Sequence, residues 1–397
     1  MAWNLGSEEF MENTHDWLDI FKLRLSYGSN GNQAITPYQT LDRLVMTNYI
    51  WGDGALGVNG AYLPNNGVGN PNLKWETTHT FNFGIDFSFL NGRISGSLDT
   101  YVANTKDLLM KRTVPIVNGY NSIMDNVGKT RNKGVELSLN TVNIQKADFE
   151  WRTNFNFSLN RDEIVDLRGD KKDDITNKWF IGEPLRVYYD YDVVGLWQEG
   201  DKFTYIAEDG SEKEIQPGAK PGAAKLRDVD GNGYINSSDK MIIGSKRPSF
   251  LMSLGNTLTY KDFVLSFLLN GTFKVTRELN EANVGSWSYN IYNYLHDADY
   301  WTPENPTAKY PSPAYSNFDG HSYYKDFTYI QIKNIMLGYN LKSSWAHKLG
   351  VSGLQVNFSV ENPYTFCDVR SVLNYDNSWF ASYPTARSFV FGLNVNF

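Results

Sequence analysis

A stretch of twelve residues, 228–239, carries oxygen-bearing side chains at alternate positions, which is the pattern of a calcium-binding loop. In such loops the oxygens and one backbone carbonyl converge on a hard cation, and a glycine at the sixth position allows a sharp turn. Gly233 occupies that position, and Asp239 occupies the twelfth, where the longer glutamate is usual. The alternative is an Asx-rich turn without metal. The ligands predicted for a structural Ca²⁺ ion are Asp228, Asp230, Asn232, the carbonyl of Tyr234, Asn236 and Asp239.

A second group of interest is the aromatic side chains of segment 274–328. Flat rings pack on the apolar faces of sugars and anchor protein interfaces. The alternative is that these rings form the segment's own small core or a girdle at a membrane interface. The residues predicted to contact a ligand or a partner are Trp287, Tyr289, Tyr292 and Trp301.

The sequence predicts no catalytic centre. Its five histidines are scattered, and neither an HExxH nor a G-x-S-x-G motif is present. The G-x-G-x-x-G at 52–57 lies in a Gly/Asn-rich loop without βαβ context, and Gly128-Lys129-Thr130 lacks the first glycine of a phosphate loop. The chain is therefore not expected to be an enzyme.

Composition bounds the class of protein. The 397 residues are 41% hydrophobic and 20% charged, and no apolar run approaches the ~18 residues of a transmembrane helix. The net charge of −7 and the absence of a Lys/Arg-rich run make nucleic acid an unfavourable partner. A single cysteine, Cys367, excludes an internal disulfide. An amino terminus without basic and apolar regions predicts that any export signal lies outside this chain.

Most of the remaining sequence alternates between apolar and polar residues with a period of two, as β-strands do. The clearest case is 79–90, which ends at Asn91-Gly92, a strong hairpin turn pattern. Ten strands follow from this pattern, and they begin near Ile20, His79, Arg93, Lys133, Phe149, Phe250, Phe263, Tyr329, Leu354 and Arg387.

Strand length and loop length favour a membrane barrel over a soluble sandwich. The strands reach ten or more residues, and their polar faces hold Asn, Ser, Thr and Gly rather than Lys and Glu. If the last strand runs toward the periplasm, every short turn falls on the periplasmic side and every long loop outside. Segment 161–249 then contains an even number of crossings, so the total is ten or twelve strands. A switch of the apolar face in 329–341 predicts a bulge near Lys333.

Several motifs along the chain resemble the SusC/RagA family of TonB-dependent outer-membrane transporters. They are Leu23-Arg-Leu-Ser-Tyr-Gly-Ser-Asn-Gly-Asn-Gln33, Asn70-Pro-Asn-Leu-Lys-Trp-Glu76, Asn126-Val-Gly-Lys-Thr-Arg-Asn-Lys-Gly-Val-Glu-Leu137, Lys225-Leu-Arg-Asp-Val-Asp-Gly-Asn-Gly233, Tyr300-Trp-Thr-Pro-Glu-Asn-Pro306, Ile330-Gln-Ile-Lys-Asn-Ile-Met-Leu-Gly-Tyr339 and Glu361-Asn-Pro-Tyr-Thr365.

The resemblance implies that 1–397 is all-β, the C-terminal portion of a plugged transmembrane antiparallel β-barrel of roughly 22 strands, without the plug domain. It implies an outer-membrane importer of oligosaccharides or peptides, contacting lipid, lidded by a SusD-like surface lipoprotein and driven by TonB through an N-terminal region outside this chain. Segment 198–248 would be an extracellular insertion carrying the calcium loop, and the four aromatics would contact substrate or lid. The alternatives are a self-contained outer-membrane barrel enzyme and a soluble glycan-binding β-sandwich.

Overall fold

The computed structural model describes the chain except for residues 34, 52–55, 63–67, 116, 118, 168–170, 279–298, 313–321, 342–344, 346–347, 349, 368–384 and 397. No helix in the described part is both long enough and apolar enough to span a membrane. Three short 3₁₀ helices cover Leu5–Ser7, Glu9–Thr14 and Ser237–Asp239.

β-Strands are the main secondary structure of the described residues. The first ten are β1 (Ala2–Asn4), β2 (Leu18–Asn32), β3 (Val45–Trp51), β4 (Leu56–Tyr62), β5 (Glu76–Phe89), β6 (Ile94–Lys106), β7 (Leu109–Thr113), β8 (Ser122–Asn126), β9 (Gly128–Gln145) and β10 (Phe149–Leu167). The others are β11 (Val187–Asp190), β12 (Val193–Leu196), β13 (Thr204–Ile206), β14 (Glu212–Glu214), β15 (Ala224–Leu226), β16 (Met241–Ser245), β17 (Phe250–Tyr260), β18 (Phe263–Glu278), β19 (Tyr324–Asn340), β20 (Gly353–Cys367) and β21 (Ser388–Asn396).

The chain divides into two compact units. Unit 1 comprises Met1–Thr141 and Phe157–Leu185, and unit 2 comprises Val142–Asn156 and Arg186–Phe397. In unit 1 the strand order is β1-β2-β5-β6-β9-β10, and in unit 2 it is β9-β10-β17-β18-β19-β20-β21, with β9 and β10 contributing residues to both. The ten long strands of these orders are the ten that the alternation predicted.

The long strands have two different faces. In unit 1, Leu23, Ile85, Leu98 and Leu137 stand opposite one another on four neighbouring strands, so their side chains share one face. Large apolar side chains along this face are exposed among the described residues, including Leu25 at 43%, Phe81 at 47% and Val102 at 37%. An uncovered apolar surface of this extent is typical of strands that contact a membrane.

The turn predicted at Asn91-Gly92 joins β5 to β6. Leu90, Asn91 and Gly92 all have positive φ. The carboxylate of Asp19, at the start of β2, accepts hydrogen bonds from the backbone N–H of Asn91 (3.2 Å) and Gly92 (2.8 Å) and from the Ser88 hydroxyl (3.0 Å). This acceptor ties the turn to the neighbouring strand, and the sequence pattern did not indicate it.

Unit 2 bears on two points of the strand prediction, the bulge near Lys333 and the choice between ten and twelve strands. The pairing of β19 with β20 shifts between Ile332 and Asn334, which confirms the bulge expected near Lys333. Residues 188–197 do not join the long strands. They form β11 and β12, which pair with β16 and β15 in separate two-stranded sheets. The hairpins β3–β4 and β7–β8 are likewise separate from the long strands.

Candidate functional site

The predicted calcium loop folds as a tight turn around the carboxylate of Asp228. One carboxylate oxygen accepts the backbone N–H of Gly231 (2.6 Å) and the other accepts that of Gly233 (2.8 Å). Gly233 has φ +87, a left-handed conformation that glycine adopts without strain. A hydrogen bond thus joins the first and sixth positions of the loop.

Asp239 closes the loop from its other end. Its side chain is fully buried, and its two oxygens accept the backbone N–H groups of Val229 (2.8 Å) and Asn236 (2.7 Å). Asn236 in turn caps the 3₁₀ helix Ser237–Asp239 by accepting the N–H of Ser238 (2.7 Å). The shorter aspartate reaches the loop here because the chain turns immediately before it.

The donor set fits a hard divalent cation. One carboxylate oxygen from each of Asp228, Asp230 and Asp239 lies within 4.8 Å of the others. Carboxylate oxygens bound to one backbone N–H keep a lone pair for a metal, and Ca²⁺ accepts flexible oxygen geometry. Asn232, whose side-chain oxygen accepts the N–H of Tyr234 (3.0 Å), lies between the carboxylates in sequence. The ring of Tyr234 stacks on Tyr205 at 5.1 Å, which leaves its carbonyl as the group available to the site.

A small core in unit 2 supports this loop. Tyr191, Leu226 and Ile235 are buried together, with Ile235 directly following the loop's sharp turn. Gln216 is 1% exposed, and its side chain bonds the indole N–H of Trp197 (3.3 Å), the N–H of Leu226 (2.9 Å) and the carbonyl of Ala224 (2.8 Å). No sequence pattern identifies Gln216, because a single buried amide has no periodicity.

Trp301 is the one member of the predicted aromatic contact set within the described residues. It is 5% exposed, its indole N–H donates to Gln198 Oε1 (3.2 Å), and its ring fills the space beside Gly222. In this arrangement it joins two loop segments of unit 2. A contact of Trp301 with substrate or lid stays a prediction, and Trp287, Tyr289 and Tyr292 lie outside the described residues.

A cavity of about 700 Å³ lies in unit 2 between β12 and residues 306–309. Its walls are mainly apolar, with Leu196, Pro306 and Ala308, and Gln198 and Lys309 add polar groups. Tyr323 also lines it, and burial raises the pKa of its hydroxyl well above the usual value, so the ring stays neutral. The cavity is open to solvent, and its apolar walls and polar groups are of the kinds that contact small molecules.

Of the two weak nucleotide motifs, the one at 128–130 does not form a phosphate loop. Gly128-Lys129-Thr130 is the first part of strand β9, and Lys129 pairs with Asp166 at 3.2 Å. Of the G-x-G-x-x-G segment, 52–55 lie outside the described residues and 56–57 begin β4.

A family model described as "TonB dependent receptor-like, beta-barrel" matches residues 13–363. TonB-dependent receptor P3 of Formosa agariphila is 33% identical over all of this chain and 41% of its own length. TonB-dependent receptor SusC of Bacteroides thetaiotaomicron is 28% identical over all of this chain and 39% of its own length. The chain therefore spans about two fifths of the length of these curated relatives.

Solved structures agree on the fold. The structure of the RagAB peptide transporter superposes with a TM-score of 0.76 at 22% identity, covering 99% of this chain and 42% of that one. The RagAB peptide importer in its "open-open" state gives a TM-score of 0.74 at 24% identity.

Proposed function

The chain belongs to the TonB-dependent receptor-like β-barrel family, and from that premise we propose that it serves TonB-dependent import of nutrients across the outer membrane. Its relatives are outer-membrane receptors and transporters rather than enzymes, in agreement with the prediction of no catalytic centre. The observation that carries the proposal is the exposed apolar face of the long strands, which β5 and β6 show opposite a polar face.

The transported ligand is proposed to be an oligosaccharide or a peptide. Support for a sugar comes from the resemblance of the sequence motifs to the SusC/RagA family, and support for a peptide comes from the fold shared with a peptide transporter. The cavity beside Leu196 and Lys309 offers both apolar contact and hydrogen-bonding groups, which either ligand can use. A SusD-like lipoprotein is proposed to cover the outer loops, and TonB is proposed to drive import.

Uptake by cells tests this function. A strain lacking the full-length receptor should lose accumulation of its labelled nutrient, and restoring the gene should recover it. Deleting TonB, or the neighbouring lipoprotein gene, should reduce accumulation to the level of the receptor deletion. Labelled maltooligosaccharides and labelled short peptides offered in parallel identify the ligand class. Accumulation that persists unchanged without TonB would contradict the proposal.

We further infer that loop 228–239 binds Ca²⁺ as a structural ion. Asp228, Asp230 and Asp239 supply three carboxylates, and Asn232, Asn236 and the Tyr234 carbonyl complete an oxygen-only donor set. The ion would relieve repulsion between the carboxylates and fix segment 198–248, proposed to lie on the extracellular side. It takes no part in any reaction.

A further inference from the structure

Strand β12 has an edge without a pairing strand, and this edge lies along the cavity of unit 2. β12 pairs with β15 in a two-stranded sheet, so among the described residues no strand pairs with its other side. All residues of β12, Val193–Leu196, line the cavity. The face of a strand presents every second residue, whereas an edge presents consecutive residues. A lining of consecutive residues therefore places the free edge of β12 in the cavity wall.

Backbone hydrogen bonds show which groups of β12 point to the free edge. The next residue, Trp197, donates its N–H to the carbonyl of Ala223 (2.8 Å), and its own carbonyl accepts the N–H of Gly222 (2.7 Å). Both groups of Trp197 thus point to the β15 side. Successive residues of an antiparallel strand direct their backbone groups to opposite sides. The backbone groups of Leu196 therefore point to the free edge, where its carbonyl accepts the side-chain N–H of Gln198 (3.2 Å).

The outer edge of β15, in contrast, is covered by a side chain. The amide of Gln216 accepts the N–H of Leu226 (2.9 Å) and donates to the carbonyl of Ala224 (2.8 Å), so it takes the place of a neighbouring strand. Uncovered edges are templates for pairing with another chain. On the β12 side the structure is open at Gly195, because no described atom beyond its chain neighbours lies within 4 Å of the position that a Cβ would take.

The second wall of the cavity, residues 306–309, is held in place by hydrogen bonds of its own loop. The carboxylate of Asp299 accepts the backbone N–H of Lys309 (3.1 Å) and the side-chain N–H of Asn305 (2.8 Å). A site whose walls are already ordered has less conformational entropy to lose when a ligand binds. The free edge and the apolar wall are thus both in place in the chain as it folds.

The chemistry of the cavity favours an extended peptide over a sugar. Its described lining contains no carboxylate and one aromatic ring, that of Tyr323, whereas sugar rings pack on flat aromatic surfaces. What the lining offers is backbone donors and acceptors along an edge, with apolar side chains beside them. Strand addition to a sheet edge uses these two features to recognise peptides.

The dimensions of the cavity favour a short peptide over a segment of a partner protein. A volume of about 700 Å³ lies within the range of small-ligand sites, about 300–1,000 Å³. A stable protein–protein interface buries about 1,200–2,000 Å² of surface, which is more than a cavity of this size supplies. The four residues of β12 give an edge of about 13 Å, enough to pair with about four residues of an extended chain.

We propose that β12 binds an extended peptide as an added β-strand, through backbone hydrogen bonds at its free edge. Apolar side chains of the peptide would pack against Leu196, Pro306 and Ala308. Backbone bonds supply affinity whatever the sequence, so the site accepts many peptides that share an extended conformation. This assignment rests on the proposed import function and narrows its ligand to the peptide class.

Methylation of peptide nitrogens tests strand addition and leaves the protein unchanged. Purified full-length receptor is offered a tryptic digest of casein, and the peptide it retains best is synthesised in two forms, N-methylated at alternate residues of opposite parity. Only alternate N–H groups of an added strand face the edge. One form should bind about 30-fold more weakly, because it lacks two hydrogen bonds to β12, and the other should bind like the unmodified peptide. Equal affinities of the two forms, or retention of no peptide, would overturn the proposal.

A pair of variants locates the peptide in the cavity. Thr307 is exposed and lines the cavity, so Thr307→Trp adds a ring where the peptide would lie and should weaken peptide binding about tenfold or more. The matched control is Glu304→Trp, which adds the same ring at an exposed position of the same loop outside the described cavity lining and should bind peptide like the parent. The assignment to β12 fails if the two variants bind peptide equally well.

Uptake by cells separates this proposal from the function on which it rests. TonB-dependent accumulation of labelled maltooligosaccharides by a receptor that retains no peptide would overturn peptide binding and leave the import function intact. If no labelled nutrient accumulates in a TonB-dependent way, the import function fails. A difference between the two methylated forms would then still support binding of a peptide to the edge of β12.

Discussion

At the scale of single residues, Gly222 is constrained both by its backbone conformation and by the side chain packed against it. Its φ is +83, and a Cβ there would lie 2.3 Å from the ring of Trp301. Gly222→Ala therefore carries two costs, the left-handed backbone and the displacement of a buried indole, together about 3 kcal/mol or more. Gly210, with φ +79 and open space around it, carries the first cost alone.

Limited proteolysis of the full-length receptor measures the difference. Gly222→Ala should expose segment 198–248 to cleavage, while Gly210→Ala should be cleaved at nearly the parental rate. Equal sensitivity of the two variants would show that Trp301 does not hold this part of unit 2 together.

Loop 228–239 carries a second residue-scale prediction. Asp228→Ala with Asp230→Ala removes two of the three converging carboxylates and should abolish calcium-dependent protection of 198–248 from protease. Asp209→Ala, which removes an exposed carboxylate from the same segment, should retain the protection. A parent protein whose cleavage does not change between Ca²⁺ and chelator would exclude the metal site.

These residues also show what spacing can and cannot predict. The calcium loop was predicted because its proposed ligands are close in sequence and alternate, so the pattern is local. Asp19 and Gln216 form hydrogen bonds with residues distant in sequence, and these bonds follow no repeated spacing. Nothing in the neighbouring sequence distinguishes either residue from an ordinary polar residue. Trp301 lies between these two cases. Its residue type predicted a contact with a ligand or a partner, and its burial shows that the side chain makes contacts inside unit 2.

At the scale of strands, the two faces of β5 should respond in opposite ways to charge. Ile85 lies midway between Phe81 and Phe89 on the lipid-facing side, so Ile85→Lys places an ammonium near the middle of the membrane at a cost of about 2–4 kcal/mol. Asn82→Lys places the same charge on the opposite face and should cost less than about 1 kcal/mol.

Urea unfolding of the full-length receptor in lipid vesicles measures both variants. The midpoint should fall clearly for Ile85→Lys and little for Asn82→Lys. Equal midpoints would show that the apolar face of β5 does not contact lipid.

Alternation predicted the middle of each long strand better than its ends. The alternation of apolar and polar residues stops near Gly28 in β2 and near Asn160 in β10, whereas the strands extend to Asn32 and Leu167. Both extensions lie on the side assigned to the outside, where no lipid demands apolar residues at every second position. Alternation also did not predict the hairpins β3–β4 and β7–β8. Strands that pair through backbone hydrogen bonds without contacting lipid need no alternation of apolar and polar side chains.

At the scale of the whole molecule, the sequence predicted the family because its motifs occur in order along nearly the full chain, and the family match over 13–363 confirms it. Ligand identity does not follow in the same way. The chain spans about two fifths of its curated relatives, and the aromatic segment that could contact ligand lies mostly outside the described residues. The side chains on the strand faces are constrained by the membrane, which is the same for every member of the family. The side chains of the loops are constrained by ligands, which differ between members.

The bulge near Lys333 has a consequence for recognising such strands elsewhere. Ahead of it Ile330 and Ile332 face lipid, and beyond it Ile335 and Leu337 do so, which moves the lipid-facing set from even to odd positions. Averaged over all of β19, the two halves cancel, and the strand scores as if it had no preferred face. A search for alternating apolar residues that allows one shift of phase within a strand recovers β19. One inserted residue can therefore hide a membrane-spanning strand from a simple test of alternation, although the strand still contacts lipid along its length.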